Sequence, residues 1–413
     1  MKKALALIFL ASALFYACTP RPFLQPGPYL GVIRIDSADP TLDIPFNMVL
    51  SLNTDGQRII EVTNAGETIL INEVTVSRDT LYILFPVFSA EIICRYTKDS
   101  LVGSYYPKGK EAGIAYRFFA RPGETDRFPA YTEPAATNVT GRWRIMENPG
   151  TPDSTLMVGE FLQDSNRVTG TVLATSGDYR YLEGKVSGSR FMVSAVDGAH
   201  SLVFVADIAP DGSMSGRFIG GPKWRSEWKA VRDEKVTLPR GEDLVTLKPG
   251  APRFTFAFPD VNGQPVSLDD TVFRGKVVIV EAMGTWCPNC LDEAVFLKGL
   301  YEKYREQGLE IVGLCFEDKT FETSQSKMQR FISQTGAGYT FLYAGPRGRE
   351  SIRNVLYMAD GMLAYPTTIY IDRKGVIRRI ETGFSGPGTG IYYDNLTGDI
   401  TGFVEKLLEE KGL

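Results

Sequence analysis

Two cysteines stand three residues apart in the run Trp286-Cys287-Pro288-Asn289-Cys290, and they are the residues of this chain best placed for covalent chemistry. A sulfur pair at this spacing can close into a disulfide and reopen, exchanging two electrons with another dithiol or disulfide. The run follows the apolar stretch VVIVEAM and precedes the helical pattern AVFLKGLYEKYREQG, which sets Cys287 at a helix N-terminus. Unpaired N–H groups and the positive end of the helix dipole there favour a thiolate over a thiol. Cys287 is therefore the expected nucleophile. Pro288 suits the first helical turn, where its missing N–H costs nothing, and Cys290, held within reach one turn further in, is the expected resolving thiol.

Other uses of the pair fit the sequence less well. Zinc would need two more ligands, yet His200 is the only histidine, and Cys94 and Cys315 stand singly in strand-like runs. Small buried hydrophobic side chains are the ordinary reading of such cysteines. No metal is expected, and no cofactor beyond the redox-active disulfide itself. Haem attachment requires His directly after the second Cys, where this chain has Leu291. A permanent structural disulfide is the remaining rival, and the strand-to-helix placement speaks against it.

A resolving thiol must lose its proton, and a buried carboxylate of raised pKa can take it. Glu281 lies six residues before Cys287 on the apolar strand, a position seldom given to a charge without reason. Glu293 follows Cys290 at i+3 and so shares its helical face, although a solvated helix position is the bland alternative. Glu317, after the strand pattern LEIVGLCF, is a further candidate to approach the pair.

These residues need a scaffold, and beyond residue 252 strands alternate with helical patterns. KVVIVEAM, LEIVGLCF, TTIYID and VIRRI read as strands, and the segments after Cys290, near SKMQRFISQTG and over DITGFVEKLLEEKG as helices. This is an α/β unit with a parallel or mixed sheet, over residues 253–413. Gly308 sits where a left-handed cap would stop the first helix. Ahead of it, residues 28–135 and 139–235 are short β-branched and aromatic runs broken by turn residues, from GVIRI and FNMVLSL to LVFVADI and SGRFI. Each reads as an all-β unit, lipocalin-like or sandwich-like, and their similar spacing suggests a tandem duplication. Residues 236–252 read as a linker.

With 413 residues the chain has room for several domains. A net charge of -4 with scattered Lys and Arg offers nothing to nucleic acid. At the N-terminus, Lys2 and Lys3 precede an apolar run from Ala4 to Ala17, too short to span a bilayer, which ends at Cys18. Residues 1–18 have the form of an export signal. Phe15-Tyr16-Ala17-Cys18 resembles a bacterial lipobox, with Phe15 in place of the usual Leu, and implies lipidation of Cys18. The alternative is cleavage after Ala13 in Ala11-Ser12-Ala13, leaving Cys18 a free thiol. A lipid would anchor the mature chain to a membrane in the cell envelope, facing the periplasm.

Two separated motifs, GTWCPNC at 284–290 and YPTTIYID at 365–372, resemble the thioredoxin superfamily and within it the TlpA/ResA-like periplasmic disulfide reductases. The resemblance covers roughly residues 252–413. It implies that Pro366 is cis and faces the dithiol, that the backbone around Tyr365 holds substrate as an added strand, and that Trp286 and Pro288 line the substrate side. Glu281 stands where thioredoxins carry a buried Asp, and Glu293 matches a Glu of these reductases; Val295 replaces a Pro that the family often has two residues later. Peroxiredoxins, a related group, need Thr three residues before a single Cys, and here that residue is Gly284. The implied activity is reduction of disulfides in exported proteins, with a membrane dithiol as electron donor; oxidase or isomerase activity is the alternative within the same chemistry. A different class of function, a surface lipoprotein whose β units bind a ligand or partner, would draw on His200, Tyr179 and Tyr181 as pocket residues.

Overall fold

The structure is a computed structural model, and it describes residues 24–221, 224–251 and 253–410. Cys18 and the rest of the export signal lie outside the described residues. Two large antiparallel sheets come first, followed by a five-stranded mixed sheet covered by helices.

Alternation builds the first sheet. In Ile44–Leu52 the side chains of Ile44, Phe46, Met48 and Leu50 are buried, and Asn47, Val49 and Ser51 between them are less so. Nine strands follow one another up and down, and the first, Gly27–Arg34, pairs with the last, Tyr116–Pro122. The two edge strands, Glu67–Ile71 and Glu73–Ser77, are separated in sequence by Asn72 alone and do not pair.

The second sheet closes. Its strands run in order from Gly141–Glu147, paired with Arg225–Arg232, and the ring is completed where Thr155–Asp164 pairs with Arg167–Ala174. Eight strands form the ring, with the short Gly177–Asp178 strand appended at its rim. Closure removes the open edges that would otherwise invite pairing with other chains. Trp143, Phe161, Phe191, Phe204, Phe218 and Trp228 fill its interior.

Two strands of this ring, Arg190–Val196 and Ser201–Ile208, are buried on both faces, which explains why FMVSAV and LVFVADI are continuous apolar runs. Phe191, Val193, Leu202 and Phe204 face the ring's own core, while Met192, Val196, Val203 and Val205 complete the core of the first sheet. The buried Arg127 fastens this junction, donating to the Ser194 carbonyl at 2.7 Å and to Asn47 Oδ1 at 2.8 Å.

In the C-terminal region the sheet order is Thr340–Pro346, Leu309–Glu317, Val277–Met283, Thr367–Ile371, Ile377–Thr382, the first three parallel and the last two antiparallel. Helices α1 (Pro288–Tyr304), α2 (Phe321–Thr335) and α4 (Ile391–Glu409) share one face with Ile279, Met283, Ile311 and Tyr370; α3 (Arg349–Val355) and residues from the stretch 245–273 cover the other. Gly308 is in the left-handed conformation, φ 95°, ending the turn that follows α1. The strand Thr340–Pro346 and α3 have no clear period in sequence, so the local pattern does not predict them. Helix α4 begins at Ile391, before the motif that suggested it, because its first turn leans on the second β unit through Tyr392. Residues 236–252 are more than a connector, since Val245–Leu247 pairs with Ala359–Gly361 in a small sheet of its own.

Candidate active site

Cys287 caps α1. Its sulfur accepts the Cys290 N–H at 3.2 Å, Pro288 occupies the first helical position, and Cys287 and Cys290 are joined as a disulfide with Cα atoms 5.2 Å apart. The helix dipole and the Cys290 N–H therefore converge on the Cys287 sulfur. Cys287 is 5% exposed and Cys290 fully buried. On the far side of Cys287, Sγ lies 3.5 Å from the Tyr365 carbonyl oxygen, and the Tyr365–Pro366 peptide is cis.

Behind the dithiol the sheet carries carboxyl groups into the core. Strand alternation turns Glu281 to the same face as Ile279 and Met283, toward α1, and neither of its oxygens has a hydrogen-bond partner among the described residues. Glu293, expected either there or in solvent, is buried; it accepts from Thr368 Oγ1 at 2.8 Å, and Thr368 stands directly opposite Glu281 in the neighbouring strand. Burial, joined by repulsion from Glu293, holds Glu281 well above the usual carboxylate range, and burial lifts Glu293 to about 8 against the pull of the Thr368 hydroxyl. Glu293 is thereby set to take up and release a proton just above neutrality. Val295 is exposed and α1 runs through it without interruption.

Glu317 also reaches the motif. It receives the Thr285 N–H at 2.5 Å and the Thr285 hydroxyl at 3.0 Å, and burial raises it to about 7. Trp286 donates its indole N–H to the Phe316 carbonyl at 2.8 Å and meets the Tyr365 ring edge-on, at 5.3 Å between centroids. Together these contacts fix the segment that leads into Cys287 from the end of the neighbouring strand. The Arg347 guanidinium lies over the Trp286 ring. Trp286 remains partly open, whereas Pro288, expected on the substrate side, is buried with Arg180 near its carbonyl.

Residues 248–395 match the Redoxin family. The thiol-disulfide oxidoreductase ResA of Bacillus thuringiensis subsp. konkukian is 30% identical over 141 residues, which are 34% of this chain and 72% of that protein. This chain belongs to the ResA/TlpA-like thiol-disulfide oxidoreductases of the thioredoxin superfamily. The ResA proteins of Halalkalibacterium halodurans and Bacillus subtilis are 29% and 27% identical, over 34% and 35% of this chain and 72% and 71% of theirs. A solved thioredoxin-family interchange protein from Chlorobium tepidum aligns at 22% identity, covering 39% of this chain and 98% of its own, with a TM-score of 0.30. The Redoxin match leaves both β units outside it.

For an oxidoreductase of this family, the chain carries site contacts that sequence reasoning missed. Thr368, Thr285, Arg347, Asp178, Arg180 and Asp292 all touch the motif or its carboxyls, and no local pattern marks them. The residues considered for a ligand pocket are used otherwise. Tyr179 packs against Phe204 and Phe218 in the ring core, and His200 closes a turn on Asp197. Tyr181 lies half-buried near the Arg180 cluster. Cys94 and Cys315 are buried, free thiols in strands. Among the described residues no helix is long and apolar enough to cross a membrane.

Proposed function

We propose that this oxidoreductase works in the reducing direction, on disulfides of exported proteins, while lipid-anchored through Cys18 at a membrane of the cell envelope and facing the periplasm. The Cys287 thiolate attacks one sulfur of the substrate disulfide, and the other leaves as a thiolate that takes up a proton. Cys290 then gives its proton to the buried carboxyl pair in its singly ionised form, on Glu293 beside Glu281, and its thiolate attacks the Cys287 sulfur. The second substrate sulfur is released, and the enzyme ends as the Cys287–Cys290 disulfide. Two electrons have passed to the substrate, and a membrane dithiol returns the enzyme to its reduced form. Substrate backbone lies along Tyr365 and Pro366 beside Trp286.

The observation that carries this reading is the Cys287 sulfur at the helix N-terminus, accepting the Cys290 N–H, with the carboxyls of Glu281 and Glu293 buried in the core beneath the same helix. A titration of the protein in dithiothreitol redox buffers, followed by Trp286 fluorescence and repeated with Cys287→Ser, tests it. The expected result is a reversible two-electron transition near thioredoxin's roughly -270 mV that is lost in the variant. A potential far above that value would make the protein an oxidase. Absence of any transition would overturn the reading.

A further inference from the structure

The two residues between the cysteines are covered by another domain. Asp178 Oδ2, on the rim of the second β unit, accepts from the Asn289 side-chain amide at 3.1 Å and from the Gly386 N–H at 2.6 Å. Two residues on, Arg180 Nη1 donates to both oxygens of Asp292 at 2.8 Å and comes within 3.4 Å of the Pro288 carbonyl oxygen. Its Nη2 donates to Glu67 Oε1 of the first β unit at 2.5 Å, and Asp197 lies 3.7 Å from its Nε. Three domains thus meet on the first turns of α1. The approach is close enough that a Cβ on Gly177 would fall 2.6 Å from Asn289 Cγ, and Arg180 itself sits at φ 56°, a conformation that docking must hold in place.

Charge at this end of a helix decides how readily its capping sulfur ionises. Asp292 sits one turn beyond the cap, where burial lifts its carboxyl to about 7 against the pull of Arg180, and the Arg180 guanidinium holds a positive charge at this end of the helix. Asp178 brings a buried carboxylate to Asn289, next to the sulfur's own helical turn. The other titratable groups facing this cluster are Glu67, Asp197, His200, Tyr181 and Tyr393, with Glu281, Glu293 and Glu317 around the dithiol on its other sides.

We propose that Asp178 and Arg180 are positioning residues of the dithiol: the second β unit sets the thiolate character of Cys287 through Asn289 and Asp292, with opposite signs. The active site is then complete only with the second β unit docked. This rests on Cys287 being the nucleophile.

The test uses the full chain with Arg180→Met, Arg180→Lys and Asp178→Asn. Two quantities are read: the pH midpoint of Cys287 alkylation in reduced protein, and the equilibrium with dithiothreitol. Loss of the Arg180 charge raises the alkylation midpoint and moves the equilibrium about tenfold toward the disulfide form, about 30 mV lower for two electrons. Asp178→Asn does the reverse, by about tenfold. Arg180→Lys keeps the charge and stays within about twofold of wild type. Unchanged values in either folded charge-removing variant, both displaced in one direction, or Arg180→Lys displaced as far as Arg180→Met, overturn the inference. Should Arg180→Met fail to fold, Asp178→Asn decides: a higher potential supports it, and an unchanged or lower one sinks it. A wild-type protein without a reversible transition would instead defeat the underlying assignment of the dithiol.

Discussion

Glu293 receives the Thr368 hydroxyl at 2.8 Å on one oxygen and meets no donor among the described residues on the other. Burial raises its proton affinity and the Thr368 bond lowers it. A hydrogen bond to a charged acceptor is worth about 1.5–3 kcal/mol, so Thr368→Val should increase the proton affinity of Glu293 by about tenfold or more. In the pH dependence of disulfide reduction, wild type should show a rise with its midpoint near 8. That midpoint moves upward in Thr368→Val and the rise disappears in Glu293→Gln. An unaltered profile in Glu293→Gln would remove this carboxyl from the proton path.

The same carboxyls tie stability to pH. Glu281 and Glu293 both bind protons more tightly folded than unfolded, so the folded chain holds extra protons above the unfolded carboxylate range, about 4.5, Glu293 keeping its own up to about 8. Where the native state binds more protons, stability falls as pH rises. Thermal melting should therefore give a lower Tm at pH 8.5 than at pH 5.5. Glu281→Gln should flatten this slope and gain roughly 1–3 kcal/mol at pH 8.5, because the amide is neutral in the core without having to take up a proton. A steeper slope in the variant would contradict this account.

Glu317 depends on Thr285 for two of its donors, the backbone N–H and the hydroxyl. Thr285→Val keeps the shape and deletes the hydroxyl. Denaturant unfolding should show a loss of about 1–2 kcal/mol at pH 8, where Glu317 is ionised. At pH 5, with Glu317 protonated, the loss should be smaller. Equal losses at both pH values would mean that the hydroxyl is not bonding the charged form.

Among the cysteines of the described residues, thiol reactivity should be confined to the motif. Burial pushes the Cys94 thiol up to about 12 and holds Cys315 well above the usual thiol range. When the reduced, folded protein is treated briefly with iodoacetamide at pH 7.5, mass spectrometry should find Cys287 modified first. Cys94 and Cys315 should react only once denaturant is added. Early labelling of Cys94 would show that the first sheet opens readily around it.

The dithiol, its place between strand and helix, and the oddity of Glu281 in an apolar strand were legible because each is local. A cap, a turn of helix and the alternation of a strand are settled by residues a few positions apart. The same locality made both β units readable as β, and left undecided whether either sheet would close. Closure depends on pairing Thr155–Asp164 with Arg167–Ala174 while the ring also seals at Gly141–Glu147 against Arg225–Arg232, some eighty residues away in sequence.

The burial of Glu293, the hold of Thr285 on Glu317 and the contacts of Asp178 and Arg180 with α1 were likewise beyond sequence. Asp178 and Asn289 are each an ordinary polar residue of a turn or a first helical turn until the second β unit docks. Local sequence was enough to single out Cys287 and Cys290 as a pair at the start of a helix, the place that favours a thiolate at Cys287. Which charges surround the pair is settled by packing, because Glu67, Arg180 and Glu281 come from three sheets and their connecting segments, far apart in sequence.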